Sequence, residues 1–325
     1  MMVKNKQIKI FYCLVTIFFA ITIIFLLCFN SGKDTMQSTK LPQTVTLHFG
    51  HQGVKDNHRY LGYSETAGSL SFDRYHWQPP NLGIVKLEHF GKTTTIPHVF
   101  SIFVARHGER TDGVGSMDIQ AGLSQAEFTT AEQAYQDYVA LITAFKQAGW
   151  QQYFRLWDAR IAKEDNVKIL TYDNPNDVPD DRYVFNTRFS SDSLTPLTFE
   201  EWQYVIAKQE KDGYGFVFNL NLYLRDVTVW INIQKTATKP NPIPNQPDLE
   251  QYMVDVHFNT AKYEFYRKIV DEETIEQLRQ VYEEWRNWGI ESRQDDEAKA
   301  KNAGFSINES YQDPDMWQYI IEPAY

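Results

Sequence analysis

The chain has 325 residues, enough to bury a sizeable core without cross-links. Once the five lysines and one aspartate of the first forty residues are set aside, 27 cationic and 41 anionic side chains remain from Leu41 on, a formal charge of −14. Such a surface repels phosphate backbones, which argues against a nucleic-acid partner, and it keeps the domain off an anionic bilayer.

The first element in chain order is residues 10–29, which carry no charge, Pro or Gly. As a helix they measure about 30 Å, the thickness of a bilayer's hydrocarbon core, and a helix satisfies every backbone polar group internally. Lys4, Lys6 and Lys9 precede the span. By the positive-inside rule the tip, residues 1–9, is cytoplasmic and the rest is exported. A cleavable signal peptide is the main alternative, but its apolar run is about 7–15 residues followed by a small-x-small site. Lipid attachment at Cys28 lacks the small preceding residue, because Leu27 stands there. The expectation is a single-pass signal-anchor in a bacterial inner membrane. Cys13 and Cys28 both lie in the span. A large exported part without cysteine fits the periplasm.

Residues 30–43 read as a linker. Residues 44–160 read as an α+β subdomain, 161–197 as a loop-rich connection and 198–325 as a second α+β subdomain. In the first, alternating residues predict a strand at 43–49, and 50–81 reads as a long ordered loop with one short strand. Strands at 84–90 and 99–105 flank a Gly-Lys-Thr-Thr turn and predict an antiparallel hairpin. Thr130 caps a helix with an apolar stripe of Ala134, Tyr138, Leu141, Ile142 and Phe145, closed by Gly149. Residues 150–157 read as a strand. In the second, Thr198 caps a short helix at 199–208. Strands are predicted at 214–220 and 223–233 with a tight connection over 219–221, then at 249–259. A helix follows at 271–287, with Ile275, Leu278 and Tyr282 facing the core and Gly289 ending it.

The fold class expected is α+β: antiparallel sheets with packed helices on one face. The order hairpin, helix, Gly-Trp occurs once around Gly149-Trp150, and hairpin, helix, Trp-Gly again around Trp288-Gly289. That echo suggests two pseudo-repeated halves. The 21 Phe, 19 Tyr and 8 Trp have two readings: an aromatic core, or a binding surface anchored by Tyr and Trp.

Arg106-His107-Gly108-Glu109-Arg110 follows an apolar strand. It resembles the RHGxR signature of the histidine phosphatase superfamily. That resemblance implies a nucleophilic His107, with Arg106 and Arg110 as phosphate ligands. It also implies a second His and a further Arg, for which His257 and Arg188 are the candidates. The other reading of the motif is an exposed charged turn. Asp173, Asp177, Asp180 and Asp181 offer oxygens for calcium but lack the EF-hand spacing, and a solvated loop explains them. His48, His51, His58 and His76 show no local pair with zinc spacing. No metal or cofactor is expected.

The general plan resembles bacterial membrane-anchored periplasmic proteins of the type VI secretion immunity-like kind. The stretch from Phe103 to Ser116, Ala121-Gly122-Leu123 and the helix ending Ala148-Gly149-Trp150 carry the likeness. It implies a binding protein rather than an enzyme, an inhibitor of a secreted toxin. An acidic domain would attract a basic toxin by electrostatic steering. A histidine-phosphatase-like phosphohydrolase and a structural protein of the cell envelope are the alternatives.

Overall fold

The computed structural model describes residues 41–61, 65–67, 70–107, 112–172, 189–190, 192–211, 217–266 and 274–321. The apolar span, most of the linker, Arg110, Arg188 and the acidic stretch at 173–181 lie outside them. Leu41–Tyr325 forms one compact unit.

Its N-terminal portion runs β1 (Thr44–Leu47), α1 (Gly50–Tyr60), β2 (Glu65–Ala67), β3 (Leu70–His76) and β4 (Gly83–His89). There follow β5 (Lys92–His107), β6 (Ser116–Gly122), α2 (Ala131–Gln147) and β7 (Gln151–Gln152). Short elements come next: β8 (Ala159–Arg160), α3 (Asn166–Leu170) and β9 (Phe189–Ser190). The C-terminal portion has α4 (Phe199–Lys211), β10 (Val217–Leu224), β11 (Val227–Lys239) and β12 (Leu249–Thr260). It closes with α5 (Ala261–Tyr266), α6 (Ile275–Asn302) and α7 (Trp317–Ile321).

The fold is mixed α+β around a ten-stranded sheet ordered β1-β4-β5-β6-β12-β11-β10-β7, with β3 on β5 and β2 on β3. Pairing in that sheet is antiparallel except between β1 and β4. The meander β4-β5-β6 meets the meander β12-β11-β10 through the β6–β12 ladder. Residues 44–160 and 198–325 therefore contribute to one sheet.

Alternation decides which residues enter the core. Val254, Val256 and Phe258 of β12 oppose Ile233, Ile231 and Val229 of β11 and Ala121, Ile119 and Met117 of β6, and all are buried. This inner face carries α2 and α4. Phe145 stacks on Phe258 at 6.3 Å, and Trp202 stacks on Tyr138 at 4.4 Å and meets Phe218 edge-on. These five aromatic side chains belong to the core.

The sheet does not lie flat. β5 is bulged against β4 at Pro97-His98 and against β6 at Phe100, and His98 has φ 58°. The β4–β5 hairpin consequently folds back over the inner face. His89 Nε2 lies 2.9 Å from Asp226 Oδ1 in the β10–β11 turn, and the Arg225 guanidinium sits 3.7 Å from the Phe90 ring. In a flat sheet these strands, five positions apart, would be about 24 Å from one another.

Several expectations shift. Residues 50–60 are a helix, not a loop; its buried face is Gly50, Gly53, Asp56 and Asn57, so no apolar stripe marks it. Residues 116–122 add a strand in the middle of the sheet. The tight turn after β10 lies at Arg225-Asp226, not at 219–221, where the ladder continues unbroken. Only Gln151–Gln152 of 150–157 is strand. The last long helix begins with a full capping box at Thr274 and Gln277 and runs through Gly289 to Asn302. Gly289 is buried rather than terminal: a Cβ there would stand 2.7 Å from Leu156 Cβ. Ile275 faces solvent at 60 % exposure.

Candidate functional site

The face of the sheet opposite the core is polar and partly open. Registers align its residues in rows across six strands. One row reads Arg74 (β3), Phe103 (β5), Asp118 (β6), His257 (β12), Trp230 (β11) and Asn221 (β10). The adjacent row reads His76, Ser101, Gln120, Asp255, Asn232 and Asn219. Five inter-strand steps make a platform about 24 Å wide.

At its centre the side chains hold one another in place. Asn219 Oδ1 accepts from Trp230 Nε1 at 3.1 Å and from Asn232 Nδ2 at 2.9 Å. The Trp230 indole stacks on the His257 imidazole, centroids 4.8 Å apart and planes 20° apart. His257 Nδ1 donates to Asp118 Oδ1 at 2.9 Å. Trp230 is therefore oriented from two sides while 41 % exposed. A large ring fixed before contact loses little rotamer freedom on binding. Toward β3, Phe72 stacks on Phe103 at 5.0 Å and the Arg74 guanidinium lies 5.5 Å from the same ring. Asp118 and Asp255 lie mid-platform and Arg74 at its margin, so the middle is acidic and aromatic.

The motif residues do not assemble here. His107 ends β5, and its ring packs 5.4 Å from Tyr263 of α5. Alternation puts neighbouring Arg106 on the opposite face of the strand. His257 belongs to the platform. It is two strands across from Phe103, and His107 is four residues along. Those offsets are about 10 Å and about 13 Å, so the two backbones stand about 16 Å apart. Arg110 and Arg188 fall outside the described residues. Among the described residues no group of His, Cys, Asp or Glu is disposed to hold a metal ion.

In the sequence His257 stands out as a phosphatase-like histidine, while neither Trp230 nor Asp118 belongs to a motif. The signal for Trp230 was available: in Val227–Ile233 the apolar residues alternate with Thr228, Trp230 and Asn232, and a tryptophan on the polar phase of a strand faces outward. No family model, curated protein or solved structure matches this chain.

Proposed function

We propose that the chain is a binding protein whose outer sheet face docks a basic protein, as an immunity-type inhibitor of a secreted toxin. The observation that supports this reading is the fixed, exposed Trp230 among Asp118, His257 and Asn219. Interface hot spots are rigid aromatic anchors of this kind, and carboxylates beside one favour a cationic partner. The charge of −14 from Leu41 on acts at longer range in the same sense.

In this reading residues 10–29 are a single-pass tether, with residues 1–9 cytoplasmic and the domain periplasmic. Among the described residues no helix is long and apolar enough to cross a membrane, so the tether rests on that span alone. Tethering concentrates the domain where a membrane-directed toxin acts. The two three-stranded meanders that meet at β6 and β12 agree with two pseudo-repeated halves.

The test is a competition between a deletion strain and toxin-armed kin. The deletion strain is expected to be killed, to be rescued by the wild-type gene, and not to be rescued by Trp230→Ala expressed at equal level. Survival of the deletion strain equal to its parent rejects the immunity role. Full rescue by Trp230→Ala moves the interface elsewhere. A C-terminal reporter that fluoresces only in the cytoplasm checks the topology, and bright cells reject it.

A further inference from the structure

Strands β11 and β12 run on past their neighbour. The β6–β12 ladder ends at Gly122–Met253, but β11 and β12 stay paired as far as Lys239–Leu249, four residues or about 13 Å further. This extension is braced at its base. Glu250 exchanges both backbone hydrogen bonds with Thr129, and Lys235 reaches Glu210 at 2.7 Å and Glu250 at 2.8 Å. The Lys239 ammonium lies 3.9 Å from the centre of the Phe128 ring.

Residues 240–248 close the extension as a loop whose shape is fixed from within. Pro240, Pro242, Pro244 and Pro247 each lock one φ. Asn241 ties the two limbs together: its Nδ2 donates to the Pro247 carbonyl and its Oδ1 accepts from the Ile243 N–H, both at 3.0 Å. Pro244 and Asn245, the latter at φ 62°, are the central pair of a type II turn, closed by the Gln246 N–H on the Ile243 carbonyl at 3.3 Å. At this corner Ile243 is 61 % exposed between two exposed prolines. Residues 240–247 carry no charge, in a domain of formal charge −14. A turn of this shape needs its Pro and its Asn; it does not need an isoleucine beside them.

Resting on the docking reading above, we propose that this loop is a preformed plug that seats Ile243 in an open apolar cleft of the partner protein. A tip already in its bound shape avoids the ordering cost of a flexible loop. An uncharged Pro-Ile-Pro corner suits an apolar cleft, whereas a cationic cleft would be met by carboxylates. The extension carries the tip into a concave site that the broad sheet face cannot enter. Trp230 is about 30 Å back along β11, so substitutions at the tip leave the platform untouched.

The deletion strain is challenged with toxin-armed kin while carrying the full-length gene, expressed at a level that just protects. Ile243→Asp should lower survival at least tenfold, because it places a carboxylate in an apolar cleft. Ile243→Ser should lower it too, without a charge. Ile243→Val, one methylene smaller, should protect within about fourfold of wild type. Asn241→Ala, which unties the limbs and keeps Ile243, should fall between. Leu41–Tyr325 is a compact unit with its own core, and its melting temperature should move by less than about 2 °C in Ile243→Asp and Ile243→Ser, since the side chain is exposed. A killed deletion strain that Ile243→Asp or Ile243→Ser protects as well as wild type overturns the plug and leaves the docking reading standing. Equal losses from Ile243→Val and Ile243→Asp overturn it as well. So does wild-type protection by Asn241→Ala, because a tip that works untied is not held in shape for binding. A deletion strain that survives like its parent overturns the plug and the immunity role together.

Discussion

Replacing Arg293 by alanine removes five hydrogen bonds at once. Arg293 is on α6 and only 4 % exposed. Its Nη1 and Nη2 grip the Asp313 carboxylate at 2.7 and 2.9 Å. Nη2 also reaches the carbonyls of Arg155 at 2.8 Å and Phe154 at 3.5 Å, and Nε reaches that of Asp158 at 3.1 Å. One side chain thus ties α6 to the 154–158 segment and to the C-terminal loop. Breaking a buried ion pair from one side costs about 3–5 kcal/mol, because the abandoned partner stays desolvated. Asp313 keeps 23 % side-chain exposure and the carbonyls have second lone pairs, which argues for the lower end. A loss of about 3 kcal/mol lowers Tm by about 6–12 °C in a domain of this size. The assay is thermal unfolding of residues 41–325, with Asp313→Ala and the double variant completing a mutant cycle. The double variant should fall well short of the sum of the singles. A Tm drop under about 2 °C, or additive singles, refutes the reasoning.

Glu297 receives Arg160 through Nε at 2.6 Å and Nη2 at 3.0 Å. Burial alone would raise this carboxyl, but the Arg160 hydrogen bonds and charge outweigh it and hold Glu297 below the ordinary glutamate value. A depressed carboxyl stabilises the fold above its unfolded pKa of about 4.3, and the contribution is lost as pH falls through the folded value. The stability gap between wild type and Glu297→Gln should therefore be full at neutral pH and shrink below about pH 4; a gap constant down to pH 3 contradicts it. Gly289→Ala gains about 1 kcal/mol of helix propensity. It also forces a Cβ to 2.7 Å from Leu156 Cβ, and overpacking of about 1–3 kcal/mol should win, so a raised urea midpoint would show the contact relaxes. Trp230→Ala should change stability by less than about 1 kcal/mol, since the ring is exposed and on the polar face. A larger loss would make Trp230 a structural residue rather than an anchor.

What the chain spells out locally, it spells out well. The helix at 131–147 is legible because Ala134, Tyr138, Leu141, Ile142 and Phe145 repeat at helical spacing, and all five are buried. Strands β4 and β12 are legible because their apolar residues alternate. The α+β class and the antiparallel hairpins follow from these periods. Helix α1 escapes the same reading because its inward face is Gly, Asp and Asn, satisfied by the sheet and its neighbours: Asn57 donates to Asp73 at 2.6 Å and accepts from the Tyr75 hydroxyl. Gly289 reads as a helix terminator by residue type, yet it is a point of close approach to Leu156, a neighbour set by packing. The platform is further from view. Asp118 and His257 are 139 residues apart and share a row only because β6 and β12 pair in one register. A slip of one residue would turn His257 into the core and Phe258 out to solvent. The bend at His98 likewise depends on bulges against two neighbouring strands. Where a segment carries an apolar period, as at 131–147 and in β4 and β12, that period determined helix or strand and which face is apolar. Register, curvature and the meeting of distant side chains were decided by tertiary pairing, because those energies exist only once both partners are present.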